Sequence, residues 1–306
     1  MTSQDSAPVT LVVGSNSLVG RAYFEYLQAT ETLVLGTTRR HEALDESHIY
    51  LDLASDLSQW SCPQNVKVAV LCAGITSLAV CQDDPAGTWR VNVEGKSALV
   101  NQLLMGGAHI IYLSTSAVFD GSIAFCPVDA SPNPMTEYGR QHAESERRLQ
   151  ALGDSATIIR FTKIIGPELP LLSGWVRSLK CGNQVSPYSE MVMAPIPVSF
   201  AVEVIDRVAK SSINGIFHAS GNFDVTYADT ASFFAKTLGA DPDLVQPINS
   251  ERGNWDNGSV PSHTTLDNSR ISSEFGIEQP DVWETLREVC LNLGAASGKS
   301  AGQERA

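Results

Sequence analysis

VTLVVGSNSLVG, residues 9–20, decides the fold. The β-branched run Val9–Val13 reads as a strand buried on both faces. It stops at Gly14, and an apolar helical pattern runs from Leu18 to Gln28. A glycine at that junction lets backbone N–H groups and a helix N-terminus converge, which suits a pyrophosphate. Gly14 and Gly20 are two glycines of a dinucleotide-binding turn, and Ser17 stands where a central glycine is usual. The Ser17 side chain would either push a dinucleotide outward or bond a phosphate through its hydroxyl. A plain strand–helix turn would account for the two glycines equally well, so the weight falls on the flanking chain.

Further strands are expected at Thr32–Gly36, Ile49–Leu51, Val66–Cys72, His109–Leu113 and Thr157–Arg160, with a long helix over Ala86–Met105 and a charged amphipathic helix over Thr136–Leu152. Strands that are apolar on both faces and alternate with helices predict an α/β fold, a doubly wound parallel Rossmann sheet. This NAD(P)-binding domain is expected to occupy residues 1–165. Past Gly166 the prolines cluster (Pro167, Pro170, Pro187, Pro195, Pro197) and the alternation loosens. Helices are expected at Val198–Ser211, Tyr227–Leu238 and Val282–Leu293, and a strand at Gly215–Ala219. Residues 166–293 thus read as a smaller C-terminal substrate-binding lobe, with elements near 196–220 returning to the sheet. Gly294–Ala306 reads as a disordered tail.

Of 306 residues, 43% are apolar and 18% charged, enough for a full core. Lys and Arg number 21 against 34 Asp and Glu, a net charge of −13. So acidic a surface repels phosphate backbones, and no nucleic-acid partner is expected. No apolar run reaches membrane-spanning length, and Met1–Pro8 has no signal-peptide pattern, so a cytoplasmic protein without membrane contact is expected. Cys62, Cys72, Cys81, Cys126, Cys181 and Cys290 form no C-x-x-C pair and read as reduced thiols. The six histidines have no metal-ligand spacing, and no metal is expected.

Arg39 and Arg40 follow the second strand, where the fold faces the adenosine ribose. Arginine there pairs with a 2′-phosphate, whereas an acid would accept from a 2′-hydroxyl. This favours NADP, with NAD as the alternative; a solvated basic loop is the plainer reading. Asp52, with Leu53 beside it, is placed to touch the adenine edge or to cap a turn. Cys72, Ala73 and Gly74 end the fourth strand with small residues that allow close backbone approach. Leu18 and Val19 complete the candidate pyrophosphate turn with Gly14, Asn16, Ser17 and Gly20. Ser114 and Thr115 place hydroxyls at the carboxyl end of a central strand, the usual ligand crevice, or else close a Ser/Thr turn. Tyr138 and His142 share one helix face at i and i+4. A tyrosine there, opposite a strand-borne hydroxyl, forms an acid–base constellation, although a lone helix tyrosine is usually a packing residue.

These motifs, with Val118–Gly121, Arg160 before Gly166 and Pro167, and the segment Pro261–Arg270, resemble the extended short-chain dehydrogenase/reductases over roughly residues 9–293. Within them the chain is most similar to the sugar-nucleotide-binding, dTDP-4-dehydrorhamnose reductase-like (RmlD-like) branch. The resemblance implies a catalytic Ser/Thr–Tyr–Lys triad, which Thr115 and Tyr138 match. His142 stands at the lysine position, and Ser116-Ala117 replaces the branch's Asp-Tyr. The family lysine binds the nicotinamide ribose and lowers the tyrosine pKa. A unit charge about 5 Å away is worth about 2 pKa units. The implied activity is NADPH-dependent reduction of a keto group on a nucleotide-linked sugar, in carbohydrate biosynthesis, with a nucleotide-sugar substrate and pairing into a homodimer. A catalytically lapsed binding or regulatory protein is the first alternative, motivated by His142. Epimerase or dehydratase chemistry, which needs a tyrosinate base, is the second.

Overall fold

The computed structural model describes residues 7–166, 169–211, 213–249 and 260–303. In chain order the elements are β1 (Val9–Val13), α1 (Leu18–Ala29), β2 (Val34–Thr38), β3 (His48–Tyr50), β4 (Val66–Leu71), α2 (Leu78–Asp83), α3 (Pro85–Trp89), α4 (Lys96–Met105), β5 (His109–Thr115), α5 (Glu137–Gln150), β6 (Ala156–Phe161), β7 (Ile164–Ile165), α6 (Pro170–Lys180), β8 (Val192–Met193), β9 (Ile196–Pro197), α7 (Val198–Ala209), β10 (Gly215–Ala219), β11 (Val225–Thr226), α8 (Tyr227–Leu238), α9 (Ser269–Phe275) and α10 (Val282–Gln303).

The main sheet has the order β10-β6-β5-β4-β1-β2-β3, and the pairs from β3 across to β6 are parallel. The chain builds outward from β1 to β3, then returns to the other side of β1 with β4. That reversal opens a crevice at the carboxyl ends of β1 and β4, where Gly14 and Cys72–Gly74 lie. The doubly wound α/β expectation holds. Leu11, Val12, Ala69, Val70, Ile110 and Ile111 are fully buried along the central strands, each large side chain contributing about 1.5–3 kcal/mol.

Chain contacts divide the molecule into two units. The first runs up to Phe119 and adds Ser131–Phe161 and Ala201–His218. The second comprises Asp120–Ala130, Thr162–Phe200 and the chain from Ala219 onward. In the second unit α6, α8 and α10 enclose Leu172, Val176, Phe234, Leu286 and Val289. Trp175 belongs to this core at 7% exposure, edge-on to Tyr227. Asp224 accepts from the Thr264 amide and hydroxyl, both at 2.8 Å, and from the Thr265 hydroxyl at 3.0 Å.

Three elements depart from the sequence reading. β2 starts at Val34 rather than Thr32, because Thr32 N still bonds Leu27 O and Glu31 has φ 55°, so both residues close α1. β2 then extends to Thr38 by pairing Thr37 and Thr38 with Ile49 and Tyr50. The single helix over Ala86–Met105 is instead α3, a π-helical turn at Arg90–Gly95, and α4. Pro85 and the Asp84 cap, which accepts from Gly87 N at 2.9 Å, set its start. The expected disordered tail is largely helical, since α10 continues to Gln303; residues 304–306 and Pro167 lie outside the described residues. No helix of the described residues is long and apolar enough to cross a membrane. None of the six cysteines forms a disulfide, and no described group of His, Cys, Asp and Glu is arranged to hold a metal ion.

α5 is clamped to the sheet by a buried ion pair. Arg160 on β6 donates from Nη2 to Glu146 Oε2 at 2.7 Å and from Nε to both carboxylate oxygens at 3.0 and 3.1 Å. Ser114 Oγ donates to Glu146 Oε1 at 2.5 Å. The two charged side chains are 1% and 0% exposed. Arg160→Leu leaves a carboxylate buried without its cation, and urea unfolding should show a loss of about 3–5 kcal/mol. A loss under about 1 kcal/mol would mean that the clamp is dispensable.

Candidate active site

Gly14 adopts φ +85°, and a Cβ there would sit 2.8 Å from the Ala73 backbone. Only glycine lets β1 turn this close to the end of β4. A Cβ on Gly20 would fall 2.2 Å from Gly14 O, so this glycine is required by the return of α1 over the turn. Ser17 is the N-cap of α1: its hydroxyl accepts from Gly20 N at 3.1 Å and donates to Gly14 O at 2.8 Å. Both bonds are internal to the turn, so the hydroxyl is engaged in capping. Leu18 and Val19 open α1, and their amides, as the first of the helix, have no intrahelical acceptor.

β2 holds the turn from the side. Thr37 Oγ1 accepts from Gly14 N at 2.9 Å, Thr37 O accepts from Ser15 Oγ at 3.1 Å, and Thr38 Oγ1 accepts from Asn16 Nδ2 at 2.7 Å. A cavity of about 540 Å³ opens here. Gly14, Asn16, Ser17, Arg39, Arg40, Asp52, Leu53, Ala73 and Gly74 are on its wall. Among the candidates, Leu18, Val19, Gly20, Cys72, Thr115, Tyr138 and His142 are not. Arg39 and Arg40 are exposed. Asp52 lines the cavity, and its Oδ1 accepts from Ala54 N at 3.0 Å, the turn-capping role. Cys72 ties β4 to β1 through its amide to Val13 O at 2.9 Å, and burial pushes its thiol up to about 12. Amide donors at a turn, two arginines at one end and glycine walls suit an anionic dinucleotide.

β5 and α5 bring the candidate triad together. Thr136 caps α5, accepting from Gly139 N at 3.1 Å. A Cβ on Gly139 would meet Ala117 O at 2.1 Å, so this glycine lets α5 lie against the turn after β5. Burial pushes the Tyr138 phenol up to about 12, while the Thr115 hydroxyl acts in the opposite sense. His142 packs edge-on against Tyr138 at 4.5 Å between ring centroids. Its Nδ1 lies 2.8 Å from Tyr112 Oη. Burial, reinforced by the charge of Lys96, holds the imidazole well below its usual pKa, so it is neutral at pH 7. Thr115, Tyr138 and His142 are therefore neighbours, with His142 only 5% exposed and bonded away to Tyr112.

Two residues not singled out in the sequence belong to this region. Asn92, in the π-turn, accepts from Ile75 N at 2.8 Å and donates to Ile75 O at 2.9 Å, pinning the loop after Gly74. It also donates to Gln141 Oε1 at 2.8 Å. Lys96 is 5% exposed, with its ammonium 5.1 Å from the Tyr112 ring centroid. Asn92, Lys96, Leu99 and Leu103 are all buried at helical spacing. Two polar residues interrupting an apolar stripe were the signal that could have marked them.

A family model described as "RmlD substrate binding domain" matches residues 9–294. The chain is 26% identical over 255 residues to methionine adenosyltransferase 2 subunit beta of Xenopus tropicalis, covering 79% of this chain and 75% of that one. It is 25% identical over 295 residues to dTDP-4-dehydrorhamnose reductase of Mycolicibacterium smegmatis, covering 94% and 86%. Among solved structures it superposes on dTDP-4-dehydrorhamnose reductase of Bacillus anthracis in complex with NADP, with a TM-score of 0.79, 16% identity, and 95% and 100% of the chains covered.

The internal bonding of Ser17 makes a stability prediction. Ser17→Ala removes the cap and should cost about 1 kcal/mol, whereas Ser17→Gly should cost only a few tenths of that. Chemical denaturation of the two variants checks it; equal losses would show that the hydroxyl does not cap α1.

Proposed function

Because the chain belongs to the RmlD substrate-binding-domain family, we propose that it is a reductase of a keto group on a nucleotide-linked sugar, using NADPH. The observation that carries this reading is the meeting of Thr115 and Tyr138 in a chain that also holds a glycine-turn cavity suited to a dinucleotide. When bound, the nicotinamide supplies a hydride to the keto carbon. Thr115 holds the carbonyl oxygen through its hydroxyl, and Tyr138 delivers the proton from Oη to the alkoxide that forms. Arg39 and Arg40 at the cavity wall favour NADP over NAD, through pairing with a 2′-phosphate. The second unit is the source of substrate selectivity, and the protein acts in the cytoplasm, in carbohydrate biosynthesis.

The raised Tyr138 pKa separates reduction from the neighbouring chemistries. With a pKa of about 12, only about one phenol in 10⁵ is ionised at pH 7. Epimerases and dehydratases of this type begin by oxidising the sugar and need the tyrosinate as base. Reduction needs the protonated phenol, which is the dominant form. The second reading is a binding or regulatory protein without turnover. It is favoured by the neutral His142 at the lysine position and by the relative named as a subunit of methionine adenosyltransferase.

The test follows NADPH absorbance with a panel of dTDP-linked 4-keto sugars. Turnover is expected, and NADPH binding without turnover on any of them would favour the second reading. Tyr138→Phe should lower turnover by about 10²–10⁴-fold while leaving NADPH affinity unchanged; a variant as fast as wild type would remove Tyr138 from the role of acid. Arg39→Ala with Arg40→Ala should weaken NADPH but not NADH, read by isothermal titration. At saturating NADPH the rate should not fall between about pH 6 and about pH 9 through Tyr138, because the raised pKa keeps its proton in place throughout that window. A fall with a midpoint near 10, lost in Tyr138→Phe, would contradict a raised phenol.

A further inference from the structure

Lys96 is a buried cation with no anion. Among the described residues neither a carboxylate nor a hydrogen-bond acceptor holds its ammonium. Its titratable neighbours, from three elements and the end of a fourth, are neutral at pH 7. The thiols of Cys72 after β4 and Cys81 on α2 are raised by burial, as is the phenol of Tyr112 on β5, and the His142 imidazole on α5 is lowered. Burial brings Lys96 itself down to about 8, which leaves it mostly protonated at pH 7. Packing does not call for a lysine here, since Leu99, Val100 and Leu103 farther along α4 make the apolar contacts. An uncompensated charge in the interior is costly, so its retention points to a ligand.

Its direction indicates which one. A Cβ placed on Gly74 would come 3.0 Å from Lys96 Nζ and 3.0 Å from Asn92 Oδ1. Gly74 is on the cavity wall and follows β4, which flanks β1 on the side opposite β2, the strand that Arg39 and Arg40 follow. The ammonium also faces the Tyr112 ring, and Tyr112 Oη bonds His142, the residue at the family lysine position. A lysine starting α4 therefore brings its charge to the same neighbourhood that a lysine on α5 would serve.

We propose that Lys96 supplies the active-site cation from α4 in place of the α5 lysine, binding the ribose hydroxyls on the nicotinamide side of the dinucleotide where it passes Gly74. This rests on the dinucleotide reading of the cavity. His142, relieved of that duty, fixes Tyr112 and packs Tyr138.

The test titrates NADPH and ADP into wild type, Lys96→Met and the exchange variant Lys96→Met/His142→Lys by calorimetry, with the Tm of each ligand-free protein. ADP carries the adenosine and pyrophosphate only. Lys96→Met should weaken NADPH by about tenfold or more, as expected for loss of a charged hydrogen bond. ADP affinity should stay within about twofold, and the Tm should hold or rise because a buried charge has been removed. The exchange variant should recover most of the NADPH affinity. Unchanged NADPH affinity in Lys96→Met would overturn the proposal. So would parallel losses of ADP affinity and Tm, which mark a structural lysine, or a failure of the exchange to restore binding. A wild type that binds neither NADPH nor NADH would instead fail at the cofactor reading beneath, and the assignment of Lys96 would fall with it.

Discussion

The placing of the candidate catalytic residues in the first unit depends on the carboxylate of Glu146 being neutralised in the interior. Glu146 faces α5 inward against β5 and β6, and Arg160 meets it with three nitrogen–oxygen contacts. The Ser114 hydroxyl adds a fourth. The guanidinium also lies over the Phe119 ring at 4.9 Å and reaches His218 Nε2 at 3.2 Å. Such a pair is tolerable only when its polar atoms find partners. Once satisfied, it determines how α5 lies on the sheet. His142 and Tyr138 are one and two turns upstream of Glu146 on that helix, and Thr115 follows Ser114 on β5. The positions of Thr115 and Tyr138, the proposed acid–base pair, thus depend on the contacts of Glu146 with Ser114 and Arg160.

A second constraint governs the cofactor turn. Gly14, Ser15 and Asn16 are each bonded to Thr37 or Thr38, and Thr38 Oγ1 also accepts from Arg40 N at 3.0 Å. The turn that would face a pyrophosphate and the arginines that would face a ribose are therefore one hydrogen-bonded assembly. Ser17 completes it by capping α1. The departure from the usual central glycine takes nothing from the turn, since the serine hydroxyl is absorbed in holding it.

The sheet was legible because its signals are local. A β-branched run, a glycine and an apolar helical face at residues 9–28 specify β1 and α1 without reference to the rest of the chain. Thr115, Tyr138 and His142 were legible as a spacing and do lie together. What holds them in place was not legible, because Tyr112 bonds His142 across 30 residues and Ser114 bonds Glu146 across 32. The start of β2 was misplaced because Glu31 in a left-handed conformation leaves no composition signal. Asn92 and Lys96 were overlooked for a similar reason: inside an apolar helical pattern a polar residue reads as a surface position unless the helix is known to be buried.

The π-turn at Arg90–Gly95 gives the segment an unusual sensitivity. A π-turn holds one residue more than an α-helix needs for the same advance. Deleting that residue would let the segment relax into regular α-helix and rotate Asn92 by about 100° relative to α4. The anchor on Ile75 would then swing away from Lys96 with no side chain replaced. The spacing between residues 90 and 96 is therefore as much a part of this arrangement as the side chains themselves. A one-residue change in length there would uncouple Asn92 and Lys96 in a single step.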